Sequence, residues 1–223
     1  MISKLRNALV PALLLSSSLA VAAPISWTDW TSAPTSSSVL GSLAVGATTV
    51  GVSYSGTYSF AQTSGGTNYW TEGVPAPYTG SALVDNAPPA SDIIALNAGG
   101  LKTISFSQPI VDPLIALVSW NGNTVDFGEP IEILSFGPGF WGSGTPILNA
   151  AGTGFFGSGE VHGVIRLPGA HSSIAFTDTS ENWHGITVGV VGLANGTVPE
   201  PASLALFGFG LAGLGALRRR RQA

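Results

Sequence analysis

The densest polar cluster in the sequence is Asp178-Thr179-Ser180-Glu181-Asn182-Trp183-His184, where hard oxygen donors stand beside an indole and an imidazole. Asp178, Glu181 and Asn182 are the ligand types calcium takes, and Trp183 with His184 can meet a sugar ring by stacking and hydrogen bonding. The spacing does not fit an EF-hand loop, and Asp, Ser and Asn are ordinary turn formers, so the same run also reads as the turn before a strand.

A second candidate is a short internal repeat. Gly137-Pro-Gly-Phe140-Trp141-Gly-Ser-Gly144 recurs as Gly152-Thr-Gly-Phe155-Phe156-Gly-Ser-Gly159. Each copy satisfies G-x-G-x-x-G, but a dinucleotide site needs a helix directly after the glycines, and Gly144, Pro146, Gly152, Gly157 and Gly159 prevent one. Two units do not make a solenoid. The copies instead present aromatic pairs on glycine loops. Exposed, Phe140, Trp141, Phe155 and Phe156 can stack on sugars or on another protein; buried, they plug the open end of a core.

Glu160, His162 and Arg166 fall at even spacing in an expected strand and should share one face, exposed and salt-bridged, with metal binding or general-base chemistry as the alternative. No Gly-x-Ser-x-Gly, no His-Glu-x-x-His and no cysteine occurs, so the familiar hydrolase templates are absent. A carboxylate pair drawn from Asp126, Glu129, Glu132, Glu160, Asp178 and Glu181 would still suffice for a glycosidase, because such pairs leave no sequence signature.

The elements that position these residues read as all-β. Short β-branched and aromatic runs alternate with Gly, Pro, Asn and Ser clusters, and no long 3.6-residue period appears. Ten strands are expected, at 48–54, 57–62, 92–96, 101–107, 114–120, 124–127, 131–136, 160–167, 172–177 and 185–191, forming a β-sandwich or jelly roll. Leu114 to Val118, apolar throughout, should be a central strand, with Asn121-Gly122-Asn123 closing a hairpin. Thr63 to Ala90, with Pro75, Pro77, Pro88 and Pro89, should be a long surface loop. His171 has no evident partner.

Composition narrows the function classes. The 223 residues hold 8 bases and 12 acids, and six of the bases lie at the two ends. Between 23 and 197 only Lys102 and Arg166 face eleven acids, so a nucleic-acid-binding role is excluded. With no cysteine there is neither a disulfide scaffold nor a thiolate metal site. A body of about 175 residues, rich in aromatic and branched side chains, can bury a core as one domain.

Residues 1–22 carry Lys4 and Arg6, an apolar run from Ala8 to Leu15, and Ala20-Val21-Ala22, the pattern of a secretory signal peptide cut by signal peptidase. The other end, 198–223, reads Val198-Pro199-Glu200-Pro201, an uncharged stretch Ala202 to Leu217, then Arg218, Arg219, Arg220 and Arg221. That stretch would reach about 24 Å as a helix, against a hydrocarbon core of about 30 Å. It would span only with help from snorkelling arginines or local thinning, with the arginines cytoplasmic and the body outward. Ala205, Gly208, Ala212 and Gly215 give that helix one small-residue face.

These terminal residues resemble a PEP-CTERM sorting signal. The resemblance implies recognition of Pro199, Glu200 and Pro201 by exosortase, a membrane-embedded peptidase or transpeptidase, in a bacterium with a Gram-negative envelope that makes exopolysaccharide. It implies export through the inner membrane, a membrane-anchored precursor, and a mature form at the surface or outside the cell. The expected function is then a polysaccharide-binding or matrix-assembling module, with a secreted glycan hydrolase and a purely structural surface protein as alternatives.

Overall fold

The computed structural model describes residues 24–193; the expected signal peptide and sorting segment lie outside the described residues. Among the described residues there is no helix, and the alternating runs of the sequence form sixteen strands. In chain order these are β1 (Ser26–Trp27), β2 (Asp29–Thr35), β3 (Ser38–Val45), β4 (Thr48–Ser55), β5 (Phe60–Gln62), β6 (Ile93–Leu96), β7 (Gly100–Val111) and β8 (Leu114–Trp120). They continue with β9 (Thr124–Asp126), β10 (Glu132–Gly137), β11 (Gly144–Leu148), β12 (Gly154–Gly159), β13 (Val161–Arg166), β14 (Ala170–Asp178), β15 (His184–Val190) and β16 (Gly192–Leu193).

Two antiparallel sheets result. One runs β10-β13-β8-β15-β6-β5, with β1 also on β15; the other runs β11-β12-β9-β14-β7-β4-β3-β2, with β16 also on β7. Their facing side chains make the main core, in which Trp30, Tyr54, Ile104, Leu117, Trp120, Phe155 and Phe176 are buried. A second core lies on the other face of the β8 sheet, where Trp70, Tyr78 and Val84 of the long connection after β5 cover Ile93, Ala116, Val118 and Val164. This explains why every residue of β8 and of β15 is buried: each strand has apolar neighbours on both faces. The expected surface loop therefore carries only an isolated Ser81–Val84 bridge but serves as a lid of the core.

All ten expected strands occur, 114–120 with its bounds unchanged and the other nine with shifted ends. Three expectations need correction. The Asn121-Gly122-Asn123 turn closes no hairpin, because β8 and β9 belong to different sheets. The Gly122 amide instead donates to Gly157 O (2.9 Å), tying the crossing to β12. The second glycine copy is no loop but contains β12, whose Gly157 passes so close to β8 that a Cβ there would stand 2.2 Å from Trp120 O. Glu160, His162 and Arg166 form no exposed face, since Tyr78 and the chain at Gly139 cover His162 completely while Glu160 and Arg166 stay half-buried.

Candidate functional site

At the end of the sandwich where β8 and β14 finish and β13 and β15 begin, a cleft of about 310 Å3 is lined by Ser119, Asn121, Trp141, Glu160, Glu181, Asn182 and Trp183. This lies at the lower end of the volumes small-ligand sites occupy. Trp141, Glu181, Asn182 and Trp183, far apart or differently assigned in the sequence, thus meet in one place, together with Glu160.

Glu160, between β12 and β13, is held by two donors: Asn121 Nδ2 at 2.7 Å from Oε1, and the Ser119 hydroxyl on Oε2. Ser119 reaches it from a left-handed backbone, φ 58°, a conformation non-glycine residues seldom adopt. The turn that carries Phe140 and Trp141 closes through mutual Gly139 and Gly142 backbone bonds, 2.7 and 3.3 Å. A Cβ at Gly139 would lie 2.4 Å from His162 Cγ, so only glycine lets the turn settle over the imidazole and hold Trp141 beside Glu160.

The rings form a continuous surface. Trp141 and Trp183 stand 6.5 Å apart at 70°, Trp183 packs on Tyr69 at 4.9 Å, and Tyr69 meets Phe140 at 5.0 Å. Phe60 closes the group, 6.3 Å from Trp183. Trp141 is 56% exposed and Phe140 36%, leaving faces for a ligand. The second repeat copy does not join them: Phe155 is buried in the main core, and Phe156 is exposed on β12, opposite Ile147.

Beneath the cleft runs a line of alternating charge. Glu181 Oε2 lies 3.3 Å from His184 Nδ1, His184 Nε2 lies 3.1 Å from Asp178 Oδ2, and Asp178 Oδ1 accepts from Lys102 Nζ. Lys102, Asp178 and His184 have no exposed side-chain surface. Lys102 completes its bonding on the carbonyls of Ala98 (2.6 Å) and Gly100 (3.3 Å). Burial works against a charged His184, but the hydrogen bonds and charges of Asp178 and Glu181 prevail and raise its pKa above 6.5.

This arrangement corrects two expectations. Asp178 has both oxygens engaged by cationic partners and stands with Lys102 and His184, not with Asn182 as a calcium ligand set. Among the described residues no group of three or more His, Asp or Glu side chains is arranged to hold a metal ion. His184 is buried under the cleft and touches Trp120 at 4.3 Å, so it supports the site from below and is not a contact surface for ligand.

Ser119, Asn121, Tyr69 and Phe60 also belong to the site, and their roles were not evident from the sequence. A serine in a left-handed conformation has no sequence mark, and Asn121 sits in an ordinary turn pattern. Tyr69 lies in a segment without strand signals. His171, left without a partner, stands 3.6 Å from Glu129.

The fold and cleft define an acidic, two-sheet β domain with an aromatic-flanked groove at one end. Among protein families, the model of the PEP-CTERM protein-sorting motif matches residues 197–221. Such a motif implies an exported protein, anchored in the membrane before exosortase processes it. Neither the curated proteins nor the solved structures yield a match to the chain.

Proposed function

We propose that this protein is a polysaccharide-binding module of the cell surface or extracellular matrix, delivered there by its C-terminal sorting signal. The carrying observation is that Trp141 and Trp183 flank a cleft whose remaining lining, Ser119, Asn121, Glu160, Glu181 and Asn182, is polar. Flat rings beside fixed hydrogen-bonding groups suit a sugar, which has apolar ring faces and hydroxyl edges. The test is retention of the purified protein on exopolysaccharide from its own host. Trp141→Ala and Trp183→Ala should each weaken retention about tenfold, in keeping with an aromatic anchor. Unchanged retention in both variants would overturn the reading.

The carboxylates Glu160 and Glu181 in one cleft support a second reading, hydrolysis of a glycosidic bond. It predicts release of reducing ends from the same polysaccharide, lost in Glu160→Gln and in Glu181→Gln. Absence of any release from the unaltered protein would leave binding as the function.

A further inference from the structure

The charge around the cleft narrows what kind of glycan it takes. Eleven acids face two bases between 23 and 197, and neither base is free: Lys102 is buried on Asp178, and Arg166 pairs with Glu132. The histidines add no exposed cation either. His162 is buried, His184 is enclosed by Asp178 and Glu181, and His171 faces Glu129. Among the described residues, then, no unpaired cationic side chain stands ready to meet an anionic sugar.

The cleft itself concentrates this field. Glu160 and Glu181 both line it, and each has a fixed geometry, the first from Ser119 and Asn121, the second from His184 beneath. Glu160 is held by neutral donors alone, and Glu181 shares the one imidazole of His184 with Asp178, so the cleft keeps a net negative charge that repels an anion and attracts a cation, and low-dielectric walls strengthen both effects. The indoles act in the same sense, because the face of a Trp ring carries the negative part of its quadrupole. Hydroxyls alone would leave this charge unanswered, whereas an ammonium between the rings and the carboxylates would meet it.

We propose that the cleft recognises a glycan carrying free amino groups, a de-N-acetylated amino sugar, and discriminates against its N-acetylated and uronic acid counterparts. The proposal rests on the glycan reading above. Discrimination follows from the structure: acetylation removes the cation and adds bulk, and a uronate places like charge against Glu160 and Glu181.

The test is titration of the purified full chain with three oligosaccharides of equal length: glucosamine, N-acetylglucosamine and guluronate hexamers. The glucosamine hexamer should bind at least about tenfold more tightly than the N-acetylated one, and the guluronate hexamer should not bind measurably. The preference should fall to about twofold in the double variant Glu160→Gln/Glu181→Gln, and also in the unaltered protein when salt is raised from about 50 mM to about 500 mM. The salt series needs no variant to fold.

Equal or tighter binding of the N-acetylated hexamer, with loss on Trp183→Ala, overturns the amine preference and leaves the glycan reading intact. Binding of none of the three overturns both. A glucosamine preference that persists in the double variant and at high salt places recognition away from these carboxylates and overturns the proposal. Equal binding of a lysine-rich peptide, dependent on the same two glutamates, would show a polycation site with no sugar selectivity and overturn it too.

Discussion

Asp178 carries a cation on each oxygen: Lys102 Nζ on Oδ1 and, at 3.1 Å, His184 Nε2 on Oδ2, with all three side chains shut off from solvent. Lys102 belongs to β7, Asp178 ends β14 and His184 begins β15, so this one carboxylate ties the two sheets together beneath the cleft. Removing Lys102 leaves the buried Asp178 with only the imidazole that Glu181 also claims. Lys102→Met should therefore destabilise the protein by about 3–5 kcal/mol, measured by urea unfolding, and also leave the Ala98 carbonyl without its donor. A loss below about 1 kcal/mol would mean that the pair contributes little.

His184 and His162 should impose opposite pH dependences on stability. The His184 pKa is raised in the folded protein, so its contribution is complete below the unfolded value near 6.5 and is lost as pH rises through the folded value. The difference in Tm between the unaltered protein and His184→Gln should shrink as pH rises above the unfolded value near 6.5. A difference that grows with pH would show that the imidazole is not held charged between its two carboxylates.

For His162 the sign reverses. Burial pushes its pKa down to about 4, against the pull of Glu160, and its Nε2 has no partner while Nδ1 faces the Tyr78 hydroxyl at 3.4 Å. The folded state holds it neutral, so its contribution is present above 6.5 and is lost as pH falls through about 4. The loss should amount to about 3 kcal/mol at most. Its ring proton resonances, followed by NMR, should titrate near 4; a midpoint near 6.5 would contradict the burial seen here.

Gly139→Ala should separate the first glycine copy's role in placing Trp141 from any general role in stability. The added methyl meets His162 at 2.4 Å from Cγ, within the ring of a side chain fixed in the core, so the turn must move outward. Overpacking of this kind costs about 1–3 kcal/mol. Polysaccharide retention should fall as far as in Trp141→Ala, because the indole leaves the cleft with its turn. Gly152→Ala, at the start of the second copy, has open space around the new Cβ and a left-handed φ of 70°, and should lower stability while sparing retention.

The split between the two copies marks where sequence stopped being informative. Both read Gly-x-Gly-aromatic-aromatic-Gly-Ser-Gly, yet one is a tight turn with two exposed rings and the other a strand with one ring in and one out. Local composition is the same; neighbouring backbone decides, through β9 and β11 on either side of β12. The central strand β8 was legible because a continuous apolar run can only be buried on both faces, and β15 through the alternation of Ile186, Val188 and Val190, although its burial on both faces was not. β2, with two Thr, a Ser and a Pro, and β3, whose apolar residues are broken by Ser42 and Gly41, carried no such run and form through pairing with each other and β4. In the cleft, the residue types of 181–183 pointed to ligand contact, but Glu160 and Trp141 reach them only through the closure of the sandwich end.

Ser119 offers the sharpest check on how the cleft is held. Its φ of 58° costs about 1–2 kcal/mol for a residue with a Cβ, and its hydroxyl donates to Glu160 Oε2. Ser119→Gly removes both the strain and the bond, whereas Ser119→Ala removes the bond and keeps the strain. Gly should therefore be the more stable variant by about 1 kcal/mol, although replacing serine by glycine inside a strand ordinarily has the opposite effect. Both variants release Glu160 from one of its two donors, and both should weaken binding of the amine-bearing hexamer to a similar degree, by about threefold to tenfold. An alanine variant as stable as the glycine one would show that the left-handed backbone is relaxed at no cost. Undiminished binding in both would mean that Asn121 alone suffices to present Glu160, and that the backbone conformation of Ser119 serves the crossing from β8 to β9 without serving the cleft.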